Sequence, residues 1–107
     1  MALEIFGCLR AELEAMGPVE IFSTKSRLGF MTRVRFCGVE PRRDGLRARL
    51  WLKRPLESPR FTRTDHISGD DWNVWVDITG CADVDAEFLA WLREARSVGD
   101  QDHLGRS

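Results

Sequence analysis

Apolar residues recur with a helical period near the start of the chain. Ile5, Phe6, Leu9, Leu13 and Met16 fall on one side of a helix over residues 2–16, with Arg10, Glu12 and Glu14 elsewhere. Gly17 and Pro18 supply its stop, since glycine suits the C-terminal cap and proline cannot continue the helix. The period then drops to two. Over residues 46–53, Leu46, Ala48, Leu50 and Leu52 take one face and Arg47, Arg49, Trp51 and Lys53 the other. Successive side chains of a strand point to opposite faces, so this pattern predicts a strand buried on one face and open on the other. Residues 33–40 put Arg33 and Arg35 on one face and Val34 and Phe36 on the other. Pro41, Arg42, Arg43, Asp44 and Gly45 between the two runs have turn chemistry, so a hairpin is expected.

Shorter extended segments, 19–22 and 28–31, surround the polar run Ser23, Thr24, Lys25 and Ser26. Residues 54–71 are rich in Pro, Ser, Thr and Asp, with a short edge strand expected at 61–65. Residues 72–79 predict a further strand, with Trp72, Val74, Val76 and Ile78 inward and Asn73, Trp75, Asp77 and Thr79 outward. Residues 84–96 predict a second helix, capped by Asp83 or Asp85, with Val84, Phe88, Trp91, Leu92 and Ala95 as its apolar stripe. The order helix, antiparallel strands, helix predicts an α+β fold. It is a two-layer sandwich, the antiparallel sheet carrying both the N- and C-terminal helices on one face. A chain of 107 residues fits one domain, expected over residues 1–97, with 98–107 as a flexible C-terminal tail. Leu46, Leu50 and Leu52 should lie under Phe6, Leu9, Phe88 and Leu92, while Arg47 and Arg49 stay exposed.

Composition adds little until charge is placed along the chain. Hydrophobic residues make up 43% and charged residues 31%, as in a globular domain. No stretch approaches the ~18–20 apolar residues of a membrane span. Glu4 precedes any basic residue, unlike a secretory signal, so no membrane partner is expected. Cys8, Cys37 and Cys81 are odd in number and share no short spacing, which argues against disulfides and for a reducing, cytoplasmic setting. Cys8, off the centre of its stripe, reads as a partly covered small hydrophobe. The net charge of −1 hides an asymmetry. Residues 26–63 carry eleven Arg or Lys against Glu40, Asp44 and Glu57, a net +8, while residues 1–25 carry −2 and 64–107 carry −7. Either the basic strands lie beside acidic segments and neutralise them, or a basic face attracts an anionic partner.

Candidate chemistry is sparse. His66 and His103 have no ligand-spaced partner, so no metal site is expected. Only His66 could serve a nucleophile as base, and nothing fixes Cys37 or Cys81 beside it. There is no phosphate-binding glycine loop. Asp70 and Asp71 suit a turn, Asp83 and Asp85 a helix cap. Glu40, Pro41 and Arg42 make a poor match to a metal-dependent nuclease site. No catalytic residue and no cofactor is therefore assigned. What stands out is the outward hairpin face. Arg33, Arg35, Arg47, Arg49, Trp51 and Lys53 share it, Trp75 joins from the neighbouring strand, and Lys25 adds a nearby cation. Basic groups interleaved with aromatics suit phosphate backbones and unstacked bases. The same composition suits a solvated face in which Arg stems cover Trp, or a protein interface. The expectation is a non-enzymatic module that binds an anionic partner, with nucleic acid as the first candidate, through this face. The alternative is a protein-interaction or homodimerisation module using the same face.

The run Thr24, Lys25, Ser26, Arg27, Leu28, Gly29, Phe30, then Val39, Glu40, Pro41, the basic strand 46–52, and the closing strand 72–77 with helix 85–96 resemble a bacterial family. It is a domain-of-unknown-function family labelled "predicted transport protein", found alone or attached to endonuclease-like or DNA-associated proteins. The resemblance spans residues 2–97. The segment from His66, Ile67 and Ser68 through Trp72 into the last helix is also similar to the MmcQ/YjbR family, an α–β-sheet–α sandwich labelled DNA-binding, although this chain lacks an obvious helix between Lys53 and His66. Neither resemblance implies catalytic residues.

Overall fold

A computed structural model of the chain describes residues 2–25 and 27–101. Helix α1 (Ala2–Met16) leads into β1 (Glu20–Ser23), β2 (Leu28–Met31), β3 (Arg35–Arg42), β4 (Gly45–Leu52), β5 (Phe61–Ser68) and β6 (Asp71–Ile78). A 3-10 turn (Cys81–Asp83) and α2 (Ala86–Gly99) follow. The strands form one six-stranded sheet in the order β1-β2-β3-β4-β6-β5, every neighbour antiparallel.

The alternation in β4 decides the layering. Leu46, Ala48, Leu50 and Leu52 are fully buried. On one side they pair with Val39 and Cys37 of β3, on the other with Val74, Val76 and Ile78 of β6. Ile5, Leu9 and Leu13 of α1 and Phe88, Leu92 and Ala95 of α2 complete the same cluster. Phe6 stacks on Phe30 with centroids 5.0 Å apart, and Trp91 packs on Phe61 at 4.9 Å. Both helices thus cover one face, as the α+β sandwich requires, and the opposite face is open. Burying each large side chain contributes roughly 1.5–3 kcal/mol, so this layer holds the sheet in register.

The structure departs from the sequence pattern in several places. The hairpin turn is tighter than expected. Arg42 pairs with Gly45, so Arg43 and Asp44 alone make the turn, and Pro41 and Arg42 belong to β3. Strand β3 begins at Arg35 instead of Arg33, because the backbone amides of Arg33 and Val34 both donate to the Gly99 carbonyl, at 3.1 and 3.0 Å. Between Phe30 and Met31 the register with β3 shifts and skips Phe36. Such a bulge re-aims side chains, and here Phe36 and its neighbour Cys37 are both buried. Strand β5 runs to Ser68, beyond the expected 61–65. Asp85 is the cap of α2, its carboxylate accepting from the Phe88 amide at 3.0 Å. The helix runs past residue 96 to Gly99, and Val98 is buried, so these residues belong to the packed domain and not to a tail. Asp100 and Gln101 close the helix, their amides donating to the Arg96 and Val98 carbonyls, and residues 102–107 of the expected tail lie outside the described residues.

The cysteines depart from the expectation that they stay unpaired. Cys8 and Cys81 are joined in a disulfide, 73 residues apart in sequence and 6.0 Å apart at Cα. Chain spacing concealed it, because α1 packs beside the 3-10 turn only in the folded sheet. The ground for a reducing, cytoplasmic setting falls with it. Cys37 alone stays free, buried on the core side of β3, and burial pushes its thiol up to about 12. Among the described residues no helix is long and apolar enough to cross a membrane.

Candidate functional site

The pairing aligns one residue from each strand in a single row across the open face: Phe22, Gly29, Gly38, Arg49, Trp75 and Arg63, from β1 to β5. The two positions beside Arg49 toward β1 carry no side chain. A Cβ on Gly38 would lie 3.1 Å from the Arg49 guanidinium, and one on Gly29 would lie 2.8 Å from the Phe22 ring. The glycines therefore let Phe22 and Arg49 lie down over the sheet from either end of the row. Arg35 stacks over the Phe22 ring at 4.4 Å, and Arg63 over the Trp75 ring at 4.7 Å.

Several cations of this face have carboxylate partners. Arg47 holds Asp77 through two hydrogen bonds, at 2.6 and 3.2 Å. Those bonds keep the Asp77 carboxyl below the usual carboxylate range and raise Arg47. Lys53 Nζ and Trp51 Nε1 converge on one oxygen of Asp71, at 2.5 and 3.0 Å. Arg63 chelates Asp65 at 3.0 and 2.7 Å. Off the face, Arg54 pairs with Glu94 and Arg60 with Asp85 and Glu87. The basic middle of the chain is thus stitched to its acidic end, which is the neutralising reading of the charge asymmetry. Arg27, Arg33, Arg35, Arg43 and Arg49 have no carboxylate partner among the described residues.

Arg49 differs from the other four, being half-buried where they are exposed. Burial first, and the like charge of Arg27 second, hold its guanidinium below its ordinary value. It lines two hollows. The larger, of about 300 Å³, is walled by Phe22, Arg27, Gly38, Arg49, Arg63 and Trp75. The smaller, of about 200 Å³, has Arg35, Phe36, Arg49, Trp51, Ile67, Asp71 and Asn73 around it. A third hollow, at the β3–β4 turn, mixes Arg42, Arg43 and Arg47 with Asp44 and Asp77, so its charges cancel locally.

Of the residues singled out from sequence, Arg35, Arg47, Arg49, Trp51, Lys53 and Trp75 do share the open face. Arg47 and Arg49 are half-buried, where full exposure was expected, because they lie flat against neighbouring strands. Arg33 is displaced, sitting in the bend tied to the end of α2. Lys25 sits exposed in the β1–β2 loop and does not line either hollow beside Arg49. Phe22, Arg27 and Arg63 were not singled out. Their place depends on β6 lying between β4 and β5 and on the β1–β3 register, neither of which leaves a local pattern. His66 is engaged too, with Nε2 2.7 Å from the Gly69 carbonyl oxygen and its ring stacked on Trp72. Among the described residues no three His, Cys, Asp or Glu side chains gather as metal ligands.

The family model described as Domain of unknown function (DUF5655) matches residues 1–97. The chain belongs to this family. No curated protein and no solved structure matches this DUF5655 chain. The family's description carries no activity, so the chemistry of the open face is what bears on function.

Proposed function

We propose that this DUF5655 domain is a non-enzymatic module that binds single-stranded nucleic acid on its open sheet face. The observation that carries the reading is Arg49, half-buried between two hollows with no carboxylate partner among the described residues. A guanidinium that has lost water without gaining an anion is costly, and a phosphate would complete it with a two-pronged match. Arg27 beside it strengthens the demand for negative charge. The guanidinium planes of Arg35 and Arg63, laid over Phe22 and Trp75, give stacking surfaces for unpaired bases. A flat sheet presents no helix to a major groove, which favours single strands over duplex.

The resemblance to DNA-associated families agrees with this reading, and nothing in the site favours transport. A cytoplasmic setting would go with a nucleic-acid partner, although the Cys8–Cys81 disulfide speaks for an oxidising one. The test is a fluorescence titration with single-stranded oligonucleotides at low and moderate salt. Binding should weaken as salt rises, because each neutralised phosphate releases a counterion. Arg49→Gln should weaken it at least tenfold while the circular dichroism spectrum is unchanged. A folded protein that binds no oligonucleotide at low salt sinks the proposal. If that protein is a concentration-dependent dimer by light scattering, the face is instead a homodimer interface.

A further inference from the structure

The two hollows that meet at Arg49 are chemically unlike. In the larger, the ionisable lining is Arg27, Arg47, Arg49 and Arg63 against Glu40 alone, and Glu40 already faces Arg42 at 3.6 Å. Asp77 and Asp65 already hold Arg47 and Arg63, so the positive charge left over is that of Arg27 and Arg49, which suits a phosphate. The smaller sets apolar surface from Phe36, Ile67 and the Trp51 ring around the amide of Asn73, with Arg35, Arg49 and Asp71 as its charged lining. Ile67 is 56% exposed on the edge strand, so its side chain lies open to an incoming ring. Asn73 is half-buried, and its amide makes no hydrogen bond among the described residues. An asparagine amide offers a donor and an acceptor side by side, which matches the N6/N7 edge of adenine.

We infer that the two hollows together hold one adenine nucleotide unit, its phosphate in the larger and its base in the smaller, with Arg49 at the junction. The inference rests on the nucleic-acid reading above and specifies it. It adds a residue set, Asn73 and Ile67, whose work is to choose the base. Asn73 pairs with Trp51 across β4 and with Asp65 across β5, so it is fixed by strands on both sides. Asp71 does not compete for the base edge in the same way, because Lys53 and Trp51 both engage its carboxylate.

The experiment is isothermal titration of the full chain with inorganic phosphate, adenosine, AMP, and six-residue oligo(dA) and oligo(dT). AMP should bind at least tenfold more tightly than phosphate or adenosine, and oligo(dA) more tightly than oligo(dT). Asn73→Ala and Ile67→Asp should bring AMP down to the level of phosphate and erase the preference between the oligonucleotides, with phosphate binding unchanged. Arg49→Gln should weaken phosphate and AMP alike. Each variant is checked for an unchanged melting curve, and all three positions lie on the open face, away from the core. If AMP binds no better than phosphate, or the Asn73 and Ile67 variants leave AMP untouched, the inference falls, while oligonucleotide binding through Arg49 can still stand. If AMP binds as tightly as oligo(dA), the nucleotide site holds and the partner is a free nucleotide, which overturns the strand reading alone. If neither phosphate, AMP nor any oligonucleotide binds, both readings fail together.

Discussion

Gly29 and Gly38 sit opposite each other on β2 and β3, and they do different jobs. A Cβ on Gly29 would come 2.0 Å from the Cys37 carbonyl oxygen, a backbone atom that cannot step aside. Gly29→Ala should therefore cost roughly 1–3 kcal/mol as overpacking, read by urea denaturation. A Cβ on Gly38 meets only the movable guanidinium of Arg49. Gly38→Val should leave stability within about 0.5 kcal/mol, yet lower oligonucleotide affinity several-fold by lifting Arg49 off the sheet. Equal losses of stability at the two positions would refute this division. From sequence, both glycines are merely weak points in strands, because what they lie against is set by register. Leu50 was legible as core from alternation alone, and Leu50→Ala should cost about 2–5 kcal/mol. The carboxyls of Asp77, Asp83 and Asp85 are all held below their ordinary value of 3.8: Asp77 by Arg47, Asp83 by the Thr79 amide and hydroxyl, and Asp85 by the Phe88 amide and Arg60. A depressed carboxyl favours the fold above the unfolded value and loses that contribution as pH falls through the folded one. Stability should accordingly be level above pH ~5 and fall steadily below pH ~4, followed by thermal melts across that range.

At the scale of elements, strong periodicity was readable and weak periodicity was not. Helix α1 and strand β4 appear where their patterns put them, because each buries one face against a deep core. Strand β5 is mostly exposed along its length, since an edge strand has one neighbour and little to bury, so its alternation is faint and only its first residues were expected. Near the start of β3 the expected facing holds, with Arg35 on the open face and Phe36 buried, but the bulge at Phe36 turns Cys37 and Val39 to the core as well, and no local signal marks such an insertion. Helix α2 overran its expected end because Val98 and Gly99 pack against the bend before β3, a contact between distant parts of the chain. The Asp85 cap is a local signal and was legible. Asp85→Ala should lower the melting temperature through the lost cap, and further if the pairing with Arg60 adds to it. A double-mutant cycle with Arg60→Ala separates the two contributions.

Over the whole molecule, the charge asymmetry along the chain closes in three dimensions. Arg47, Lys53, Arg54, Arg60 and Arg63 meet acidic residues that follow them in sequence. Neutralisation and a basic face were posed as alternatives. The fold accommodates part of each, with Arg27, Arg35 and Arg49 left over beside the hollows of the open face. The layer architecture was legible because it follows from period alone. The strand order and the disulfide were not, since both join residues far apart in the chain. Constraining so long a segment of the unfolded chain contributes up to about 4 kcal/mol in the chain-entropy picture. Melting with and without reductant should show that difference, and Cys81→Ser should melt like the reduced chain. Identical melts would mean the staple adds nothing.

The Cys8–Cys81 link also closes residues 8–81 into one covalent loop. All six strands lie on the loop, while α2 hangs outside it on the C-terminal end. A protease that cuts the exposed turn at Arg43 would open the loop without releasing a fragment, and the nicked protein would run as one band on a non-reducing gel. Reduction would then part it at the β3–β4 turn, separating β1 to β3 from β4 to β6. A cut after Cys81 would detach the peptide carrying Phe88 and Leu92 from the covalent frame whether or not the sulfurs were joined. Resistance to clipping in this molecule is therefore divided: its sheet survives a break in the backbone as one molecule, and its last helix does not.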